Sequence, residues 1–220
     1  MANQDSLSSD VYEQYLLSLL AGDRSVCRTI ALGLLDRNIP LLTLYTDLFQ
    51  RSMYEVGDRW ERNQISVATE HIATSITESV MALSYPRLFA HPKTGKSVIV
   101  SCVVNEHHQI GGRMVADYFE MQGWDSHFAG ANQPLADLLR YIRERQPDVV
   151  ALSAAIYDSV PKLQETVDAI LNCSNKVNVI VGGQAFRWGG ASLFQNLPRV
   201  TQLGNIADME KYLKEFPGGN

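Results

Sequence analysis

The stretch SVIVSCVVNEHHQIGGRMV, residues 97–115, changes from an apolar run to a polar segment with a glycine pair. Its first eight residues predict a buried β-strand, and a helix is expected near residues 108–122. An ordinary strand-to-helix turn needs little more than a glycine and a capping residue. This turn instead carries Glu106, His107 and His108. Such side chains at this point indicate that the turn binds a ligand.

The same alternation of strand and helix continues to the C-terminus. It predicts a parallel sheet flanked by helices, with right-handed crossovers. Ligands of such sheets bind beyond the carboxyl ends of the strands, where the polar turn lies. The further strand-like runs are 126–130, 148–155, 177–183 and 199–204, and the further helical stretches lie near 134–145, 160–172, 185–196 and 206–215.

The first ninety residues follow a helical period and contain no strand-like alternation. We expect Pro40 in the first turn of one helix, Ser66 as the cap of another, and a disruption at Pro86. Residues 90–96, AHPKTGK, have the composition of a linker. A four-helix bundle over residues 1–90 and an α/β domain over residues 97–220 are therefore predicted. The four amphipathic segments are 11–22, 23–38, 40–63 and 66–89.

Composition narrows the function classes. A net charge of −5 argues against non-specific nucleic-acid binding, and the apolar runs are too short to cross a membrane. The N-terminus lacks a secretory signal pattern. Cys27, Cys102 and Cys173 lack metal-type spacing, so we expect reduced thiols in a cytoplasmic protein. Neither a catalytic triad pattern nor a phosphate loop is evident, so an enzyme is not expected.

Three elements end predicted parallel strands, and they should lie along one edge of the sheet. They are Glu106-x-His108-x-x-Gly111, Ser153 and Gly182-Gly183. Taken singly, each has an ordinary explanation as a surface histidine, a helix cap or turn glycines. Residues 112–152 separate the first element from the second, and residues 156–181 lie before the third. This register resembles the Asp-x-His-x-x-Gly, Ser-x-Leu, Gly-Gly fingerprint of cobalamin-binding domains.

The resemblance implies a Rossmann-like (flavodoxin-like) domain with five parallel strands that binds cobalamin. His108 would be the lower axial ligand of cobalt, as the only metal ligand from the protein, and Glu106 would accept the other ring N–H. Gln109 and Ile110 complete this element of the site, and His107, out of register, is expected to point elsewhere. Glu106 replaces the usual Asp, so we expect a looser geometry.

The resemblance also assigns the residues around the nucleotide tail of the cofactor. Gly111, Gly182 and Gly183 would leave room for the tail, and Ser153 would hydrogen-bond to it. Ala155 replaces the usual Leu and trims the wall of the tail pocket. Two further residues, Gln184 and Arg187, are interpreted as supports of this environment.

The segment WERNQISVATEH, residues 60–71, lies where the third and fourth helices should meet. Antiparallel helices joined by a short link should bring Trp60 close to Glu70. Trp60, Glu70 and His71 resemble the Trp-x9-Glu-His signature of CarH-type cobalamin-dependent photoreceptors, in which the Trp and Glu surround the 5′-deoxyadenosyl group. Composition alone would favour a core tryptophan with a surface Glu-His pair. The surrounding segment also resembles the corrinoid proteins of methyltransferase systems.

Two differences from the photoreceptors stand out. Those proteins usually begin with a MerR-type DNA-binding domain, whereas this chain begins almost directly with the helices, so direct nucleic-acid binding is not expected. A histidine that often follows the tryptophan is Glu61 here. Water, His71 or no stable adduct would then follow photolysis.

The resulting expectation is a stand-alone sensory or regulatory protein, most simply a light sensor with adenosylcobalamin. Its output would pass to a transcription regulator or a kinase, or through self-association. The alternative is a corrinoid carrier that uses methylcobalamin and docks with a methyltransferase. A third possibility is cobalamin binding without switching.

Overall fold

Only helices form the first part of the chain that the structure describes. The computed structural model describes residues 7–216, and the chain divides between Leu88 and Phe89 into two compact units. The helices of the first unit are α1 (Ser9–Leu20), α2 (Arg24–Asp36), α3 (Leu41–Thr43), α4 (Arg51–Glu61), α5 (Val67–Met81) and α6 (Tyr85–Leu88).

Polar side chains cap the long helices of this unit. Ser8, Asp23 and Ser66 each accept a hydrogen bond from a backbone N–H three residues further on. The cap at Ser66 is thus where the sequence predicts it. Pro40 precedes α3 rather than lying in its first turn, and its extended backbone directs the chain into the helix.

The third and fourth predicted helices are continuous but irregular. A π-helical segment, Leu44–Gln50, joins α3 to α4. A 3₁₀ turn, Ala82–Ser84, joins α5 to α6. The second irregularity has a local cause, since Pro86 has no N–H to donate to the carbonyl of Ala82. Helix α1 packs against α2, α4 and α5, which gives the expected bundle.

A five-stranded parallel sheet, in the order β2-β1-β3-β4-β5, forms the centre of the second unit. This is the flavodoxin-like order, which confirms the predicted fold class. The three central strands are buried and the two edge strands are half-buried. The strands are β1 (Ser97–Cys102), β2 (Asp125–Gly130), β3 (Val149–Ser153), β4 (Asn178–Gly182) and β5 (Val200–Gln202).

Helices connect these strands, with one exception. The connecting helices are α7 (Ile110–Met121), α8 (Leu135–Arg145) and α9 (Val160–Cys173), and α10 (Ile206–Glu215) follows β5. The helix expected over residues 185–196 is wrong. Two 3₁₀ turns, Gln184–Trp188 and Ala191–Phe194, occupy this segment. Gly189 and Gly190, with φ of 126° and 83°, separate them and break the helical path.

Register places the strand ends side by side. Cys102 of β1 lies opposite Ser153 of β3, and Ser153 lies opposite Gly182 of β4. The three polar or glycine-rich elements therefore follow neighbouring strands at the same edge. Across residues 7–216, the helices lack the length and apolar character that crossing a bilayer requires.

The predicted linker is bound to the second unit over residues 92–96, here called the strap. Thr94 donates its N–H to the carbonyl of Gly123 at 2.8 Å, and the carbonyl of Lys96 accepts from Asp125. Lys93 pairs with the buried Glu120 and also donates to the carbonyl of Trp124. The strap is therefore a structural part of the sheet domain.

Substituting Gly123 should detach the strap. A Cβ there would lie 2.2 Å from the carbonyl oxygen of Pro92, at a φ of +79°. Gly123→Ala should lower the free energy of unfolding by at least about 3 kcal/mol, since overpacking adds to backbone strain. Gly95→Ala is the matched control, because Gly95 has a φ of +77° with nothing within 4 Å.

Urea denaturation of the two variants checks this prediction. The control should lose only about 1 kcal/mol, which is the strain of a left-handed alanine. Equal losses of unfolding free energy in both variants would show that the contact between the strap and Gly123 contributes nothing to stability.

Candidate functional site

The turn between β1 and α7, residues 103–109, is held from the side of the β2 loop. Asn105 has a left-handed φ of 66°, and its N–H donates to Oδ1 of Asn132 at 2.8 Å. Asn132 in turn donates its N–H to the carbonyl of Glu106. On the inner side, the thiol of the buried Cys102 lies 3.7 Å from the carbonyl oxygen of His108. These contacts fix the backbone on either side of Glu106.

Glu106 is fully buried and accepts hydrogen bonds at both carboxylate oxygens. Oε1 accepts from the backbone N–H of His108 at 2.9 Å and lies 2.7 Å from Nδ1 of the same residue. Oε2 accepts from the N–H groups of Ala155 and Ile156 at 2.9 and 3.3 Å, and from Oγ of Ser159 at 2.9 Å. One carboxylate therefore joins the β1 turn to the loop after β3.

These hydrogen bonds keep Glu106 ionised. Burial alone would raise the pKa of its carboxyl, but donation from the side chain and backbone of His108 and from Ala155 outweighs burial and lowers the pKa to about 2. The group is therefore an anion at neutral pH and can only accept hydrogen bonds.

The protonation of the His108 ring follows from this partner. Nδ1 must carry the proton that it shares with the carboxylate, so the lone pair of the neutral ring is on Nε2. The side chain of His108 is 49% exposed. A histidine whose Nδ1 is fixed by a buried carboxylate is oriented and made more basic for a metal at Nε2.

Small residues follow the neighbouring strands at this edge of the sheet, and two of them are packed closely against backbone. A Cβ on Gly111 would lie 3.8 Å from Oγ of Ser153, and a Cβ on Gly182 would lie 3.2 Å from the carbonyl oxygen of Leu203. Gly183 passes so close to Ala154 that a Cβ would lie 2.1 Å from its carbonyl oxygen. The side chain of Ser153 is buried, with its Oγ next to Gly111.

The other predicted site residues of this unit lie around the same edge. Gln109 and Ile110 are half-buried at the start of α7. Ala155 is also half-buried, and its N–H donates to Glu106. His107 and Arg187 are exposed, and Gln184 is half-buried in the first 3₁₀ turn after β4. Their predicted roles toward a ligand stay predictions.

The predicted residues of the first unit lie on both sides of the turn from α4 to α5. Trp60 is 40% exposed at the end of α4. The side chain of Glu70 is only 16% exposed, and that of His71 is 74% exposed, with 3.6 Å between Glu70 Oε2 and His71 Nε2. Glu70 also accepts from Thr74 Oγ1 at 2.9 Å. Helices α4 and α5 pack together, but a contact between Trp60 and Glu70 stays a prediction.

Sequence reasoning missed Ser159 and Asn132. Ser159 is buried and holds Oε2 of Glu106, while Asn132 fixes the backbone of the β1 turn. Both contacts join residues far apart in the chain, so no local pattern marks them. The only local signal is the position of Ser159 directly before α9, where a cap would be expected, yet its side chain bonds to Glu106 instead.

Two family models match the chain, and both are described as a B12 binding domain. One matches residues 11–84, within the helical unit, and the other matches residues 96–197, within the sheet unit. The chain therefore belongs to the B12-binding domain family and is a cobalamin-binding protein.

Its curated relatives fall into two groups. The HTH-type transcriptional repressor CarH of Myxococcus xanthus is 24% identical over 151 residues, which are 68% of this chain and 50% of the repressor. Dimethylamine corrinoid protein 3 of Methanosarcina mazei is 26% identical over 136 residues, 60% of this chain and 81% of that protein. This chain thus spans about half the length of the repressor and most of the corrinoid protein.

A solved structure shares the whole fold. The monomethylamine corrinoid protein of Methanosarcina barkeri superimposes with a TM-score of 0.78 over 94% of this chain and 98% of that chain, at 15% identity. This agreement covers helices and sheet, so the succession of a helical domain and a Rossmann-like domain is a shared architecture.

The residues present fit a corrinoid. His108 offers one oriented nitrogen, and Gly111, Ser153 and Gly182 lie close together at the same edge of the sheet. Among the described residues there is no group of three His, Cys, Asp or Glu side chains that could hold a metal.

Glu106→Gln should destabilise the protein without cofactor by roughly 2–3 kcal/mol, because an amide nitrogen would face buried donors. The pKa gives a second signature. Since the folded pKa is about 2 and the reference value is 4.5, the stabilising effect is present above pH 4.5 and is lost as the pH falls toward 2. Chemical denaturation between pH 2 and 7 measures the loss of unfolding free energy and its dependence on pH.

Asp125→Asn is the matched control. Asp125 also pairs with a histidine two residues on, His127, but its side chain is 66% exposed. Loss of the Asp125 carboxylate should change the free energy of unfolding by less than about 0.5 kcal/mol at any pH between 2 and 7. A Glu106 variant as stable as the control would contradict the buried network.

Proposed function

We propose that His108 is the lower axial ligand of the cobalt in bound cobalamin, through Nε2. The single observation that supports this is the hydrogen bond between its Nδ1 and the buried, ionised Glu106. The carboxylate fixes the ring orientation and keeps the lone pair on the outward nitrogen. Gly111, Ser153, Gly182 and Gly183 would then contact the nucleotide tail.

We further propose that the protein is a sensory or regulatory cobalamin protein whose signal is light. Bound adenosylcobalamin would supply a light-labile cobalt–carbon bond. Trp60 and Glu70 would contact the adenosyl group and lose that contact once it leaves. A difference in contacts between two states is what can shift an equilibrium between two arrangements of a protein. The output would be self-association or a change in binding to a transcription regulator or kinase.

The exposure of Trp60 supports this assignment. Trp60 is 40% exposed and the side chain of Glu70 is 16% exposed, so together they would offer a ring face and an acceptor. An adenine ring with its exocyclic amine and ribose hydroxyls matches both groups. The likeness to CarH, which is named a transcriptional repressor, also supports a regulatory role.

The second candidate is a corrinoid carrier that presents methylcobalamin to a methyltransferase. The observation that favours it is the likeness to dimethylamine corrinoid protein 3, which is 26% identical over 136 residues. In a carrier the protein itself would not be the catalyst, and the partner would reach the cobalt over the corrin. The two candidates share His108 and differ in the role of Trp60.

His108→Ala should change the spectrum of the bound cofactor. Without the imidazole, the absorption should shift toward that of cobalamin without a nitrogen lower ligand, and affinity should fall about ten-fold or more. Absorption spectra and equilibrium titration measure the two effects. His107→Ala is the matched control, because His107 is an exposed neighbour in the same turn. Equal effects of both substitutions would overturn the assignment of the ligand.

Light tests the sensory role. Protein loaded with adenosylcobalamin should change its absorption and its oligomeric state or partner binding under green or blue light. Protein loaded with hydroxocobalamin is the control and should not respond. Trp60→Ala should abolish the preference for adenosylcobalamin over methylcobalamin while leaving the lower-ligand spectrum intact. A light-insensitive protein that prefers methylcobalamin would instead establish the carrier function.

A further inference from the structure

Three large apolar side chains are exposed on the loops that follow β3 and β4. Ile156 is 41% exposed, Tyr157 is 50% exposed and Trp188 is 67% exposed. We call these three residues the aromatic shelf. A tryptophan left this open in water is unfavourable by the hydrophobic effect, and grouped exposed apolar residues mark binding surfaces.

The shelf is built by a close contact between the two loops. A Cβ on Gly189 would lie 3.6 Å from Cε2 of the Tyr157 ring, and a Cβ on Gly190 would lie 3.9 Å from the same atom. The tyrosine ring therefore lies against the backbone that directly follows Trp188. Both glycines have positive φ, which directs the chain across the ring. The two loops that carry Tyr157 and Trp188 are therefore in contact.

The shelf is also joined to the proposed cobalt ligand. The N–H of Ile156, its first residue, donates to Oε2 of Glu106 at 3.3 Å. The other oxygen of that carboxylate lies 2.7 Å from Nδ1 of His108. One carboxylate therefore separates the shelf backbone from the imidazole. The first residue of the shelf therefore lies close to the turn that carries His108.

We propose that the shelf binds the rim of the corrin macrocycle. This inference rests on the proposed cobalamin site and adds residues that recognise the macrocycle rather than the nucleotide tail. A corrin presents methyl groups and amide side chains at its rim. The indole and phenol rings pack against the methyl groups, and the Trp188 N–H and Tyr157 O–H can donate to amide carbonyls.

Two ligands separate rim contacts from tail contacts. Cobalamin has the nucleotide tail, and cobinamide is the same corrin without it. Trp188→Ala and Tyr157→Ala should each weaken binding of both ligands about ten-fold, which corresponds to about 1.4 kcal/mol. Trp188→Phe should retain most of the affinity, because it keeps an aromatic ring. Equilibrium titration followed by absorption gives the dissociation constants.

Phe89→Ala is the matched control. Phe89 is an aromatic residue of the same unit with 54% exposure. It precedes the strap, which contacts the start of β2, at the ends of the strands opposite to the shelf. Its removal should change either affinity by less than about two-fold. Thermal unfolding verifies that the shelf variants are folded, as expected for side chains at least half exposed.

The outcomes separate the shelf from the site itself. If the wild-type protein binds no corrinoid, the proposed function and the proposed role of the shelf are both wrong. Shelf variants that bind cobinamide like the wild type would overturn the shelf alone, and would indicate that these residues serve a protein partner. An effect seen only with cobalamin, or a wild type that binds cobalamin but not cobinamide, would likewise overturn the assignment to the macrocycle rim.

Discussion

The site depends on one buried carboxylate. An isolated carboxylate without exposure to water would be strongly unfavourable, and it would take up a proton instead. Glu106 remains charged because five donors from two segments surround its oxygens. Four of these donors belong to backbone N–H groups or to the ring beside it, so the loops must adopt one conformation to supply them. The carboxylate therefore organises the turn after β1 and the loop after β3 together.

The extra methylene of Glu106 does not loosen this arrangement, contrary to the expectation from the sequence. Its two oxygens face opposite ways, one toward His108 and the other toward the loop of Ala155, Ile156 and Ser159. The distance of 2.7 Å to Nδ1 is that of a short, charge-assisted hydrogen bond. The carboxylate thus has a function beyond its histidine, since it sets where the β3 loop lies relative to the imidazole.

Sequence patterns predict what is local and periodic. The alternation of apolar strands and amphipathic helices predicts the parallel sheet, and the Ser66 cap predicts the start of α5. The patterns fail where a distant contact decides. Residues 92–96 have linker composition, but hydrogen bonds to the turn at Gly123 make them a strap. Ser159 lies where a helix cap is expected, but its hydroxyl donates instead to a carboxylate far away in the chain.

Local chemistry decides the remaining case. The segment after β4 has apolar spacing suitable for a helix, but Gly189 and Gly190 adopt positive φ values. Their lack of side chains lets the chain cross the ring of Tyr157 instead of continuing a helical turn. The helix prediction weighed periodicity above two consecutive glycines, whose conformational freedom makes them poor helix formers.

The two proposed functions place opposite demands on the helical unit. The network below the cobalt is common to both, because any corrinoid held through an imidazole needs the same oriented ring. A sensor must bind the group above the cobalt tightly in one state only, which requires side chains shaped for that group. A carrier must leave the same space accessible to a partner. Under the sensor proposal, the 40% exposed Trp60 would supply a ring that suits the first demand and obstructs the second. For this reason we expect the difference between sensor and carrier to lie in the α4–α5 turn, rather than in the proposed metal ligand.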